Sequence, residues 1–294
     1  MLADVRHALR WLARSPGFTL VAVASLALGI GVNTSIFSLV NALLLRPLPV
    51  ARPHELVSLY TNDTEGPYST SSYPDYADLR DHNSVFSGLA GHSLMIAAFN
   101  REGQSQLVLG EVVTGNYFDV LGVRAAIGRT FAPDEDTVEG ARPVAVLGDG
   151  FWKRVFGGDP STVGRTIQIR GLDFAVVGVA PASFSGTIPG LTPDLWIPAM
   201  MVGEVEPAGI QDVVPSPSGK TRLEQRGNRW MFLKGRLKPG VSAAEAQANV
   251  DVIMTRLQRE HPQTNKDRQA RVASNVRIHP QVDEGIAPGA ALIM

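Results

Sequence analysis

The sequence contains no cysteine. Disulfides, thiolate-ligated zinc and thiol nucleophiles are therefore excluded from the start. Neither sign of charge is in excess: 27 Lys and Arg stand against 28 Asp and Glu, for a net charge of −1. No basic footprint for nucleic acid is visible in that balance. The six histidines (His7, His54, His82, His92, His261 and His279) never fall at the HxxxH spacing of a zincin-like site, and no GxSxG nucleophile elbow occurs. Gly219-Lys220-Thr221 ends like a phosphate-binding loop, but Val214 stands where the first glycine of GxxxxGK[ST] is required. Asp134-Glu135-Asp136 reads as a solvated acidic turn rather than a cation site. Asp75, Asp78 and Asp81 fall three apart and read as a polar helix face rather than an acid–base pair. No catalytic residue, cofactor or metal site is expected, and the chain is read as not an enzyme.

Charge is also missing locally. No charged residue lies between Arg14 and Arg46, a run longer than the ~20 apolar residues that cross a bilayer as a helix. A spanning segment must be helical because lipid offers the backbone no hydrogen-bonding partner. Ser15 can act as N-cap and Pro16 as first helical residue. A signal-peptide h-region is ~7–15 residues with a small-residue cleavage site after it. Here the run is far longer and ends in Leu-Leu-Leu-Arg-Pro, so it is read as an uncleaved anchor. Arg6, Arg10 and Arg14 precede it, Arg46 and Arg52 follow, and Pro47, Pro49 and Pro53 end the helix. The basic excess on the N-terminal flank predicts a cytoplasmic N-terminus and a periplasmic bulk. Within the span, Ser25 with Gly29 and Ala27 with Gly31 are small residues four apart, suited to close helix–helix packing in lipid. Asn33 and Asn41 favour a protein neighbour over lipid. Before the span, Leu2, Val5, Leu9 and Leu12 oppose Arg6, Arg10 and Arg14 on a helical wheel. That pattern predicts an amphipathic helix on the membrane surface.

The remainder alternates strands and helices. Strands are predicted at 55–60, 89–99, 106–114, 143–147, 166–170, 174–179, 194–198, 229–237 and 271–279. Helices are predicted at 73–82, 116–121 (ended by Gly122), 149–156 and from Ser242 to about Glu260, with Ser242 and Glu245 as a capping box. Residues 171–173 are expected to form a hairpin loop, and 201–225 a long loop. The fold class is α+β. The segmentation is 1–14, interfacial helix; 15–46, transmembrane helix; 47–140 with 226–285, one α+β domain; 141–225, an inserted mainly β subdomain. Residues 286–294 are read as the start of a second membrane segment, which would make the chain an N-terminal fragment.

Five stretches carry a family resemblance: LRWLARSPGFTLVAVASLALGIGVNTSIFSLVNALLLRPLP, SSYPDYADLRDHNSVFSGLA, GEVVTGNYFDVLGVRAAIGRTF, PVAVLGDGFWKRVFGGDPSTVGRTIQIRGLDFAVVGVAP and GRLKPGVSAAEAQANV. Together they resemble MacB-type and FtsX-like permeases of ABC transporters, most clearly the acidobacterial duplicated orphan permeases. The resemblance implies a periplasmic core domain with a porter-like α+β part and an inserted β-rich part. It also implies a separate ATPase subunit and a permease dimer or duplicated second half. For exporter members it implies an adaptor and an outer-membrane channel that expel drugs, peptides or lipoproteins. It supplies no catalytic residue. The alternative reading is a membrane-anchored periplasmic binding or signalling module without transport.

Overall fold

The structure, a computed structural model, describes residues 15–40, 50–62, 66, 68–101, 103–188, 190–205 and 219–274. The expected interfacial helix with Arg6, Arg10 and Arg14, Asn41, the first-glycine position Val214, and the tail 286–294 lie outside these. The chain divides into two compact units, 1–46 and 47–294.

The first unit is helix α1, Pro16–Val40. Its proline stands at the first helical position, where a missing N–H costs nothing, and Thr19 donates its backbone N–H and its hydroxyl to the Ser15 carbonyl, each at 3.0 Å. Residues 16–35 form a helix long and apolar enough to cross a membrane, with none of it buried.

The second unit is built on strands β1 (Leu56–Thr61), β2 (Ser71–Ser72), β3 (Phe86–Arg101), β4 (Gln104–Val113), β5 (Ile127–Gly128), β6 (Val144–Leu147), β7 (Thr166–Ile169), β8 (Leu172–Val179), β9 (Leu195–Pro198), β10 (Arg229–Leu237) and β11 (Ala270–Ala273). Its helices are α2 (Tyr73–His82), α3 (Tyr117–Leu121), α4 (Asp149–Phe156), α5 (Ala243–Glu260) and α6 (Pro262–Asn265). The main path through the sheet is β11-β1-β10-β3-β4-β9-β6-β8-β5, with β2 beside β10 and β7 bridging β3 and β8. The two chain ends meet in it, since β1 lies antiparallel between β10 and β11. The middle segment joins the same sheet: β9 runs parallel to β4, and β7 pairs with β3 at Phe99 and Asn100.

Because side chains alternate along a strand, the sheet carries two cores. Val57, Leu59, Val112, Ala145, Leu147, Leu195, Ile197 and Leu233 face one side, with Tyr76 and Leu79 of α2, Phe151 of α4, and Val250, Ile253, Met254 and Leu257 of α5. Leu56, Ala90, Val113, Val144, Val146 and Trp196 face the other, covered by Tyr117, Phe118, Val120 and Leu121 of α3. Helix α5 begins as expected: Ser242 accepts from the Glu245 N–H at 3.2 Å and the Glu245 carboxylate accepts from the Ser242 N–H at 2.7 Å. Gly122 ends α3 in the left-handed region, with φ 67°.

Two local expectations change. The hairpin between β7 and β8 turns on Arg170 and Gly171 alone, because Gln168 pairs with Asp173 and Ile169 with Leu172. Both turn residues have positive φ, 51° and 83°, as a two-residue type I′ turn demands. The last strand is Ala270–Ala273, and residues 275–279 of the expected strand lie outside the described residues.

Candidate functional site

On an α-helix each residue turns ~100° from the last. Ser25 and Gly29 therefore share one side of α1, while Ala27 and Gly31 lie roughly 200° away on the opposite side. Asn33 falls near the first pair and Thr34 near the second by the same rotation. The sequence pattern thus presents two small-residue stripes, each with a polar residue alongside. Among the described residues, no atom lies within 4 Å of a side chain built at Gly29 or Gly31.

In the second unit the carboxylates of α2 are structural. Ser72 caps the helix by accepting from the Asp75 N–H at 3.2 Å. Asp75 is buried and accepts from Arg226 at 2.7 Å and Asn265 at 2.8 Å. The same guanidinium reaches Asp78 at 2.6 Å. Asp81 is paired with its neighbour Arg80, which holds its carboxyl below the usual range. The acidic turn splits likewise. Glu135 binds Arg129 through two bonds of 2.6 and 2.7 Å. Asp136 accepts from the Gly115 and Met200 N–H groups at 2.7 and 3.0 Å. Burial nevertheless pushes Asp136 up to about 6. No group of three or more His, Cys, Asp or Glu able to hold a metal occurs among the described residues. Gly219, at φ 66°, and Lys220 sit in loop rather than at the start of a helix.

Two surface clefts accompany these groups. One, of about 240 Å³, lies between α2 and the loop before β6 and is lined by Tyr76, Arg80, Asn116, Asp119, Phe131 and Asp136. The other, of about 420 Å³, lies at the β3–β4 hairpin end and is lined by Phe99, Arg101, Gln104, Gln106 and Arg154.

The most unusual chemistry is buried. Register brings Ser58, Lys234, His92, Glu111 and Trp196 onto the α3 side of five adjacent strands. The Lys234 ammonium donates to the Ser58 hydroxyl at 2.7 Å. His92 Nδ1 lies 2.9 Å from one Glu111 oxygen. The other oxygen accepts from Trp196 Nε1 at 2.7 Å and from the Tyr117 hydroxyl at 3.3 Å. Tyr117 also meets Thr187 at 3.3 Å. His92, Glu111 and Lys234 are at most 4% exposed. Burial lowers Lys234 to about 8, lowers His92 and raises Tyr117. Among the described residues, His92 Nε2 has no hydrogen-bond partner. A buried network of this kind specifies one arrangement of the strands and of α3 and is costly to break. Sequence reasoning missed the row because its members lie far apart in the chain and meet only through register. Lys234, following the apolar run Trp230-Met231-Phe232-Leu233 within a predicted strand, was the available signal.

Comparison with known proteins agrees with this architecture. The model of the MacB-like periplasmic core domain matches residues 19–253. A macrolide export ATP-binding/permease protein MacB from Burkholderia thailandensis is 33% identical over 82 residues, spanning 28% of this chain and 12% of that relative. The chain thus corresponds to a small part of the curated relative's length. The periplasmic region of MacB from Actinobacillus actinomycetemcomitans superposes with a TM-score of 0.54 at 15% identity, covering 83% of this chain and 97% of that one. The extracellular domain of the noncanonic ABC-type transporter YknZ from Gram-positive bacteria gives 0.50 at 14% identity, covering 74% and 98%. An apolar N-terminal helix, a mixed sheet in which β1 pairs with both β10 and β11, and a family match across most of the sequence place this chain in the MacB-like periplasmic core domain family of ABC transporter permeases.

Proposed function

We propose that this chain is the N-terminal part of a permease subunit of a MacB/FtsX-type ABC transporter. It is not itself an enzyme. A separate ATPase subunit hydrolyses ATP in the cytoplasm, and α1 carries the resulting motion across the inner membrane to a periplasmic sheet domain. The N-terminus is cytoplasmic, Arg6, Arg10 and Arg14 rest on the lipid surface, and the bulk is periplasmic. The permease works as a dimer or with a duplicated second half, and Ser25, Ala27, Gly29 and Gly31 are the places where other membrane helices pack. Export of drugs, peptides or lipoproteins through an adaptor and an outer-membrane channel completes the reading. The supporting observation is an apolar helix long enough to span a membrane, with none of residues 16–35 buried, in a chain whose residues 19–253 match the MacB-like periplasmic core domain.

The test is purification of the full chain from its own membrane followed by assay of ATP hydrolysis. Activity should copurify in a distinct subunit and survive Lys220→Ala in this chain. Saturable ATP binding by this chain alone, lost in Lys220→Ala, would contradict the assignment. Gly29→Leu and Gly31→Leu should each weaken helix association in a membrane two-hybrid assay, because close backbone approach supplies the attraction in lipid. An unchanged signal in both would remove the packing role.

A further inference from the structure

Arg236 stands near the end of β10 and is 5% exposed. Its guanidinium carries five N–H donors in a fixed plane, and four hydrogen bonds are formed with it. Nε donates to the Val120 carbonyl at 2.7 Å. Nη2 donates to the Ala51 carbonyl at 2.7 Å. Nη1 donates to the Arg52 carbonyl and the Glu55 carboxylate, both at 3.2 Å. Three of these acceptors lie between residues 51 and 55, close to where the chain enters the second unit at Pro47. The fourth belongs to α3.

That segment is fastened in two further ways. The Ala51 N–H donates to the Leu121 carbonyl at 3.1 Å. Gly122 leaves room for it, since a side chain there would meet the Ala51 Cβ at 2.5 Å. Arg52 is also held at φ 44°, a left-handed conformation that a residue with a side chain adopts only when its surroundings enforce it. Yet residues 51–54 expose their side chains. Water would satisfy the carbonyls of an ordinary surface connector without a buried cation. Capture by one buried arginine is therefore directed at the position of the segment.

We propose that Arg236 is a positioning residue that fastens segment 51–55 to β10 and α3, so that displacement arriving along the chain from α1 is delivered to the centre of the sheet rather than absorbed in a slack linker. The onward path is on the same side of the sheet: α3 carries Tyr117, which bonds Glu111, which bonds His92 and Trp196. The mechanical consequence rests on the transporter reading above, whereas the fastening does not.

Absence of cysteine allows paired spin labels in the full chain in bilayer discs. Labels at His54→Cys and Ala248→Cys report the segment against α5, and labels at Leu107→Cys and Ala248→Cys report the sheet without the segment. In wild type both distance distributions should be narrow. Arg236→Gln should cost the first pair its narrow distribution and leave the second unchanged. Arg236→Lys, which keeps the charge but not the planar fork, should fall between, and Glu55→Gln, which leaves the three carbonyl bonds, should stay near wild type. A narrow first distribution in Arg236→Gln would overturn the proposal. So would equal broadening of both pairs, which would make Arg236 a support of the whole fold. Neither outcome depends on whether the chain serves a transporter.

Discussion

The end half of the sheet and its middle half are built by opposite means. In the end half, β1, β10 and β11 come from residues 56–61, 229–237 and 270–273, and every pairing among them is antiparallel. Helices α2 and α5 cover this half; Arg226 holds both Asp75 and Asp78 on α2, Asn265 of α6 donates to the same Asp75, and Arg256 of α5 reaches Asp78 at 3.9 Å. In the middle half, β6, α4, β7 and β8 follow one another within residues 144–179, and β7 and β8 are joined by a two-residue turn. The middle is encoded locally and the ends are encoded over long range. Closing long loops costs entropy before the contacts form, so the end half should be the slow and cooperative part. Along the main path the two halves meet where β4 pairs with β9, and there Trp196 of the middle donates to Glu111 of β4.

The largest expected effect comes from breaking that joint. Trp196→Ala removes a fully buried side chain and one donor to a buried carboxylate, which should cost about 3–5 kcal/mol. If the halves are coupled there, thermal unfolding followed by separate probes in α4 and α5 should split into two steps. A single transition with a small loss would show that the halves do not depend on this contact. Arg226→Met acts on the end half alone. It leaves the buried Asp75 carboxylate with Asn265 as its remaining side-chain partner among the described residues and should cost roughly 3 kcal/mol, with hydrogen exchange quickened in α2 and unchanged in β7.

The next effect is set by pH. Burial lowers the folded-state pKa of His92 below its ordinary 6.5. The corresponding stability is present above about 6.5 and is lost as pH falls through the folded value. Asp136, raised to about 6, runs the other way and gains as pH falls toward 3.8. Comparing wild type with His92→Gln isolates the histidine. Denaturant midpoints of wild type should fall relative to the variant between pH 6.5 and 5, by up to about 1.4 kcal/mol per pH unit. Parallel profiles would mean that the imidazole carries no such penalty. The smallest effect belongs to the middle half: Gly171→Ala at φ 83° should cost on the order of 1 kcal/mol and loosen only the β7–β8 hairpin, as backbone amide exchange would show.

The same contrast explains what could be read from the amino acids. Helices α2, α4 and α5 were legible because their signals are local, among them Ser242 with Glu245 as a capping box and an apolar stripe at 250, 253, 254 and 257; the Ser72 cap of α2 and the Gly157 end of α4 are added by the structure. The return of the chain end to β1 was legible as a repeated strand–helix rhythm. The β7–β8 turn was placed one step late because Asp173, a common turn residue, here pairs across the ladder with Gln168. The parallel β4–β9 pairing and the buried row from Ser58 to Trp196 were not legible. Each polar member looked like a solvent-facing strand position until register closed a second core over it.

The proposed topology, in which α1 crosses the membrane between a cytoplasmic residue 7 and a periplasmic sheet, is the part of the proposal most open to direct test. Cysteine accessibility tests it most directly, since the chain has no cysteine of its own. Leu107→Cys sits 77% exposed on the β3–β4 hairpin, and His7→Cys lies ahead of α1. In cells whose outer membrane is permeable to a polar maleimide and whose inner membrane is intact, Leu107→Cys should be labelled and His7→Cys protected until the inner membrane is opened. Labelling of His7→Cys with Leu107→Cys protected, or labelling of both in intact cells, would contradict the account.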